Sequence, residues 1–208
     1  MTKRQAKEDA GGRLTRAAVI DAALAVLEDR GLEGLSTRAV ADRLAVRMNT
    51  VLWHVKTKGR MLELMADAVL GGIDYGDLPS SPRQRVRELA GRYRRALLAH
   101  RDGAALVTGT YPAEPCTLRF ADRLLGALLE AGADEEQAAW TAWTVVYFVL
   151  GLVQEEQAAP DRPDDRLARA VDPAAHPALH RVAAHLRPGA FEDRLAFGLD
   201  AILSRLPE

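Results

Sequence analysis

The sequence predicts an all-α protein built as a small N-terminal helical module followed by a larger helical bundle. Three observations carry this. Apolar residues recur at three- and four-residue spacing along most of the chain, no stretch shows the strict alternation of a strand, and a segment rich in Gly, Pro and Ser at residues 75–82 interrupts the helical pattern. With 208 residues, 48% of them hydrophobic and 27% charged, the chain is large and apolar enough to bury a core in each module.

Over residues 14–30, Ala17, Ile20, Ala23, Leu24 and Leu27 share one helical face, and Gly31 supplies a C-terminal stop. Ser36 caps a short second helix through residue 44, with Val40, Ala41 and Leu44 inward and Thr37, Arg38 and Arg43 outward. Ala45-Val46 then forms a tight connection to a third helix over residues 47–54, whose Val51, with the following Val55, turns inward. Thr57 caps a longer fourth helix with the stripe Met61, Leu62, Met65, Ala68 and Val69, weakened at Gly71-Gly72. Beyond the 75–82 loop, helices are expected over residues 83–99, 117–131, 135–156 and 192–206, with a shorter one over 178–187. Pro160, Pro163, Pro173 and Pro177 make residues 158–177 a mobile surface loop. The expected division is a basic arm and helix-turn-helix over 1–57, a connecting helix over 58–74, and a helical-bundle ligand-binding and dimerisation domain over 75–208.

Charge separates the modules. Residues 1–60 carry 12 Lys and Arg against 7 Asp and Glu, whereas the rest carry 16 against 22, so the basic end faces a polyanion. Cys116 is the only cysteine, which excludes an intrachain disulfide and a cysteine-based zinc cluster. No apolar run is long enough to span a bilayer, and the basic start is followed by acids and glycines and not by the apolar core of a secretory signal. A cytoplasmic protein without a membrane partner is expected.

A helix that enters the DNA major groove needs short polar or apolar side chains for base edges and basic groups at its ends for phosphates. The run Arg47-Met48-Asn49-Thr50-Val51-Leu52-Trp53-His54 supplies both. Asn49 suits adenine, Thr50 and Met48 suit a thymine methyl, and Arg38, Arg47, His54 and Lys58 lie where phosphates or guanine would be. Residues of these types also serve as the solvated face of an ordinary small bundle.

The segments Leu35-Ser36-Thr37-Arg38-Ala39-Val40-Ala41 and Trp53-His54-Val55-Lys56-Thr57-Lys58 resemble the DNA-binding domain of the TetR family. His100-Arg101-Asp102-Gly103-Ala104, Gly109-Thr110, Pro112 and Leu150-Gly151-Leu152-Val153 with Glu155 extend the resemblance to the family's tetracycline-responsive members, and so over nearly the whole chain. The resemblance implies a homodimeric repressor on a palindromic double-stranded DNA operator. Effector binding then swings the fourth helix until the two recognition helices no longer fit successive major grooves. Thr37, Arg38, Arg47, Met48, Asn49, Thr50, Trp53, His54 and Lys58 form the expected DNA-binding set.

Departures from the family pattern are informative. Ala45 stands at a turn glycine, and Leu52 stands for a tyrosine that reaches the DNA backbone. In the effector site, Val107 replaces a metal-ligating histidine, Asp74 a drug-binding histidine and Tyr111 an arginine. Tyr93 replaces a phenylalanine and Tyr147 a histidine, while Leu89 and Arg123 replace amides. Thr110, Pro112 and Glu155 match. The resemblance thus assigns effector contacts to Asp74, Leu89, Tyr93, Val107, Thr110, Tyr111, Pro112, Arg123, Tyr147 and Glu155, with no metal and no cofactor expected. Tyr93, Tyr111 and Tyr147 fit either plain core packing or a platform for a polar-edged, antibiotic-like aromatic ligand. Trp140 and Trp143 fit either a dimer anchor or interior packing. Leu195, Leu199, Ile202 and Leu206 form an apolar stripe expected at the two-fold axis.

Two rival readings are a helical enzyme and a DNA-binding protein without a ligand. For the first, Glu155 and Glu156 are neighbours and point to different helix faces, while for a metal held by His176, His180 and His185 the first two could share one face, but His176 precedes Pro177 in a loop-like stretch. For the second, the acidic, tyrosine-containing remainder of the chain would be superfluous.

Overall fold

The computed structural model describes residues 14–111, 113–159, 169–186 and 189–206. The basic arm at residues 1–13, Pro112, and Pro160 and Pro163 of the proline-rich loop lie outside the described residues. Among the described residues there are helices, turns and no strand: α1 (Arg16–Arg30), α2 (Thr37–Arg43), α3 (Met48–Val55), α4 (Lys58–Gly71), α5 (Pro82–Leu98), α6 (Gly103–Val107), α7 (Pro115–Glu130), α8 (Glu135–Ala158), α9 (Pro177–Val182), a 3₁₀ turn (Ala183–His185) and α10 (Phe191–Leu203).

Side-chain caps set three of the first four helix starts. Thr15, Ser36 and Thr57 each accept a hydrogen bond from the backbone N–H three residues on, at 3.2, 3.1 and 3.0 Å. The five-residue α6 was not expected, because it is too short to show periodicity and lies between Gly103 and Gly109.

The chain forms two compact units, one holding the residues up to Asp77 together with Arg92–Leu124, the other Leu78–Gly91 and the chain from Leu125 onward. In the first, α1 packs on α2, α3 and α4, and α4 packs on α6. Its core includes Val19, Ala23, Leu27, Val40, Val51, Val55, Met61 and Met65, all essentially inaccessible. The buried stripe of α4 is Met61, Met65, Ala66, Val69 and Leu70. Leu62 and Ala68, expected inward, are only half-buried, because the helix packs on two sides and its buried face is rotated toward Ala66 and Leu70. Leu44 is likewise half-buried, since it ends α2 and Ala39 takes the inward place.

In the second unit α8 packs against α10. The Phe148 ring occupies the space beside Gly198 so closely that a Cβ there would stand 2.1 Å from its Cζ. The α10 stripe expected at the two-fold axis is largely core of its own subunit: Leu195, Leu199 and Leu206 are buried, joined by Leu203, and Ile202 is half-buried. The outward side of α10 instead carries Phe197, 78% exposed.

Candidate DNA-binding surface and effector site

The α2–α3 connection is the sharpest local feature of the first unit. Val46 N–H donates to the Ala41 carbonyl at 3.0 Å and Ala45 N–H to that of Asp42 at 3.2 Å, the paired bonds of a helix end that needs a left-handed residue between them. That residue is Ala45, at φ 53°. The family's turn glycine is therefore replaced without loss of the turn.

α3 is anchored by Val51 and Val55, both fully buried, and Met48, Asn49, Thr50 and Trp53 face outward. Arg47 sits at the N-cap with its side chain uninvolved in capping, and Arg38 and Lys58 are exposed at the starts of α2 and α4. Trp53 is an organising side chain: the His54 ring meets it edge-on at 4.7 Å and the Lys56 ammonium lies 5.7 Å from its centroid. Thr37 and His54 are half-buried at the rim. Arg43 is withdrawn from this surface by a 2.5 Å ion pair with Asp29.

The His100-Arg101-Asp102 segment grips the C-terminal end of α1. His100 Nδ1 lies 3.0 Å from Glu28 Oε1, Arg101 N–H donates to Glu28 Oε2 at 3.1 Å, and Asp102 Oδ2 accepts from Leu32 N–H at 2.8 Å. Asp102 adopts φ 54°, and Gly103 begins α6 so close to the preceding turn that a Cβ would stand 2.1 Å from the Leu97 carbonyl oxygen. α4 is held in turn to the start of α7. Arg60 pairs with Glu114 at 2.5 Å, and Asp67 Oδ1 accepts from Thr117 N–H at 2.7 Å and from its hydroxyl at 2.9 Å.

The residues assigned to the effector divide by burial. Tyr93 is buried and stacks on Phe120 with ring centroids 4.7 Å apart, and burial pushes its phenol pKa up. Leu89 is buried, Val107 and Thr110 are half-buried, and the Thr110 hydroxyl donates to the Val107 carbonyl at 2.7 Å. Tyr111 is 77% exposed, so the subunit does not bring it into a common enclosure with Tyr93. Asp74 and Arg123 are exposed, and the Asp74 carboxylate turns back on its own loop to accept from Gly76 N–H at 2.9 Å. In the second unit Tyr147 is exposed and stacked on Trp143 at 5.4 Å, and Glu155 is exposed.

Sequence reading passed over Tyr75, whose hydroxyl is buried without a hydrogen-bond partner among the described residues, and Arg119, one turn before Arg123. The four-residue spacing of two arginines behind Thr117 was the available signal. An open groove of about 740 Å³ between α8, the 3₁₀ turn and α10, lined by Phe148, Leu152, His185 and Phe197, contains none of the assigned effector residues. Of the histidines considered for a metal, His176 uses Nδ1 to accept from Asp172 N–H at 3.2 Å. No helix among the described residues is long and apolar enough to cross a membrane.

Comparison with known proteins agrees with this arrangement. Residues 19–65 match the family described as bacterial regulatory proteins, tetR family, and residues 76–207 match the tetracyclin repressor-like C-terminal domain. The class C tetracycline repressor protein of Escherichia coli is 39% identical over 165 residues, covering 74% of each chain. Among solved structures, a possible TetR family transcriptional regulator from Streptomyces coelicolor A3(2) superposes with a TM-score of 0.80 at 34% identity, over 91% of this chain and 97% of that one. A TetR variant from Acinetobacter baumannii AYE in complex with minocycline superposes at 0.71 with 29% identity, over 92% and 96%. The chain therefore belongs to the TetR family of bacterial transcriptional regulators and is a ligand-responsive, DNA-binding repressor that acts as a dimer.

Proposed function

We propose that each subunit presents α3 to one half of a palindromic operator in the cytoplasm, and that the dimer lets go when a metal-free aromatic molecule occupies the second module; the protein catalyses no reaction. The observation that carries the DNA reading is the division of α3. Two fully buried valines fix the helix while Met48, Asn49, Thr50 and Trp53 stay free for base edges, with Arg38, Arg47, His54 and Lys58 around them for phosphates and Thr37 at the rim. The functional division is an arm and helix-turn-helix over 1–57, a connecting helix over 58–74 and an effector and dimerisation module over 75–208.

The polar ties of the first unit support the coupling. A ligand that displaces the α6–α7 segment pulls on α1 through His100, Arg101 and Asp102, and on α4 through Glu114 and Thr117. Asp74, Leu89, Tyr93, Val107, Thr110, Tyr111, Pro112, Arg123, Tyr147 and Glu155 remain the assigned contacts. Within the first unit Tyr93, stacked on Phe120, offers an apolar face, and in the second Tyr147 and Glu155 are left exposed for use in the dimer.

A valine at position 107 has no lone pair for a cation, and the carboxylate of Asp74 is already engaged, which argues against a chelated metal. Minocycline is bound by the A. baumannii relative; metal-chelated tetracycline should bind this chain poorly. Isothermal titration with tetracycline, first with magnesium and then with EDTA, tests the reading. Weak binding that ignores EDTA is the expected result, and tight binding abolished by EDTA would overturn it.

A further inference from the structure

The loop between α4 and α5 carries a group that DNA contact and helix packing leave unused. The Tyr75 hydroxyl oxygen is shielded from solvent and has no hydrogen-bond partner among the described residues. Such a group destabilises the fold for as long as it stays unsatisfied. The loop around it is held in place: Arg92 Nη1 donates to the carbonyl oxygens of Asp74 at 2.7 Å and Gly76 at 2.6 Å, and Gly76 N–H donates to the Asp74 carboxylate.

The first turns of α7 lie against the end of α4 beside this loop. Asp67 binds Thr117, and a Cβ on Gly71 would stand 3.4 Å from Cys116 Sγ. Continuing the Cys116 face of α7 at helical spacing come Arg119 and Arg123. Both are exposed, and neither has an ion pair among the described residues. Burial raises the Tyr75 pKa, Arg119 and Arg123 pull it back, and the net effect is upward, so at neutral pH the phenol is a proton donor. A shielded donor that feels the charge of two guanidinium groups without an ion pair among the described residues lacks one thing, an anionic acceptor.

We propose that Tyr75, Arg119 and Arg123 form an anion-reading edge of the effector site, so that the effector is an aromatic acid. The Tyr75 hydroxyl donates to one oxygen of its carboxylate or sulfonate, and the two guanidinium groups balance the charge. This rests on the metal-free aromatic reading and narrows it to a chemical class. Asp74, assigned from the family pattern, also shapes the loop, and its neighbour Tyr75 adds the hydroxyl that meets the anion.

Two fluorescent probes of similar shape test the edge on the full-length dimer: 1-anilinonaphthalene-8-sulfonate, which is anionic, and N-phenyl-1-naphthylamine, which is neutral. The unaltered protein should bind the anionic probe saturably at one per subunit. Tyr75→Phe should weaken that binding about tenfold and Arg119→Gln several-fold, with the neutral probe unchanged within about twofold. Tm of Tyr75→Phe should not fall, because the hydroxyl has no partner to lose. Equal effects on both probes, or none on the anionic one, would overturn the anion edge while leaving the aromatic pocket standing. A lowered Tm with unchanged probe binding would assign the hydroxyl to a buried water, and would also overturn it. Binding of neither probe to the unaltered protein would sink the pocket and the edge together.

Discussion

Ala45 shows how one residue stores strain at the turn that aims the recognition helix. An L-residue in the left-handed region costs roughly 1–2 kcal/mol, and the two backbone bonds that close the α2–α3 turn require Ala45 to stay there. Glycine would relieve that strain but loses more entropy on folding, by about 0.5–1 kcal/mol. Ala45→Gly should therefore stabilise the protein by about 0.5–1 kcal/mol, read as a higher urea midpoint with an unchanged slope; a lower midpoint would contradict the assignment. On α3, Asn49→Ala should relax base preference at one operator position by about 1–3 kcal/mol, whereas Lys58→Ala should weaken every sequence alike and flatten the salt dependence. Fluorescence anisotropy with operator variants at several salt concentrations separates the two. The opposite pattern would mean that another face of the domain reads the bases.

The helices matter here through what ties them to one another. α4 is held at two points, Arg60 to Glu114 and Asp67 to Thr117, seven residues apart and so on nearly the same face. Neither tie was legible in the sequence, since each joins residues at least 50 positions apart, and a charge pattern does not say which acid meets which base. The Arg60 pair is partly exposed, so its worth to stability is small, on the order of 1 kcal/mol or less. Its worth to coupling is a separate matter. Glu114→Gln should leave operator affinity nearly unchanged and raise the effector concentration needed for release several-fold, measured by titrating effector into the operator complex. If release is unaffected, α4 is driven through α6 alone. Two caps, by contrast, were readable directly: Ser36 and Thr57 precede their helices as the sequence predicts, because capping is a contact over three residues.

For the whole molecule, dimerisation turns on which helix faces the subunit leaves uncovered. Trp140, Trp143 and Tyr147 project from α8 at helical spacing and Phe197 from α10, with Trp140 70% exposed. Trp140→Glu combined with Phe197→Glu should produce monomers at micromolar concentration by light scattering, with operator affinity falling along with them; an unchanged dimer would place the interface elsewhere. What the sequence by itself determined was the all-α class, the helix-turn-helix with its outward residues, and the membership carried by two local motifs. These follow from periodicity, capping and short-range spacing, which are written within a few residues. Only the tertiary structure decided that Leu195, Leu199 and Leu206 are core while Phe197 is outward, because a helix with apolar residues on more than one face does not reveal which face its own subunit will cover. It also decided that Asp74 closes its loop while Tyr75 holds a buried hydroxyl with no partner among the described residues, since satisfaction of a polar group depends on everything packed around it.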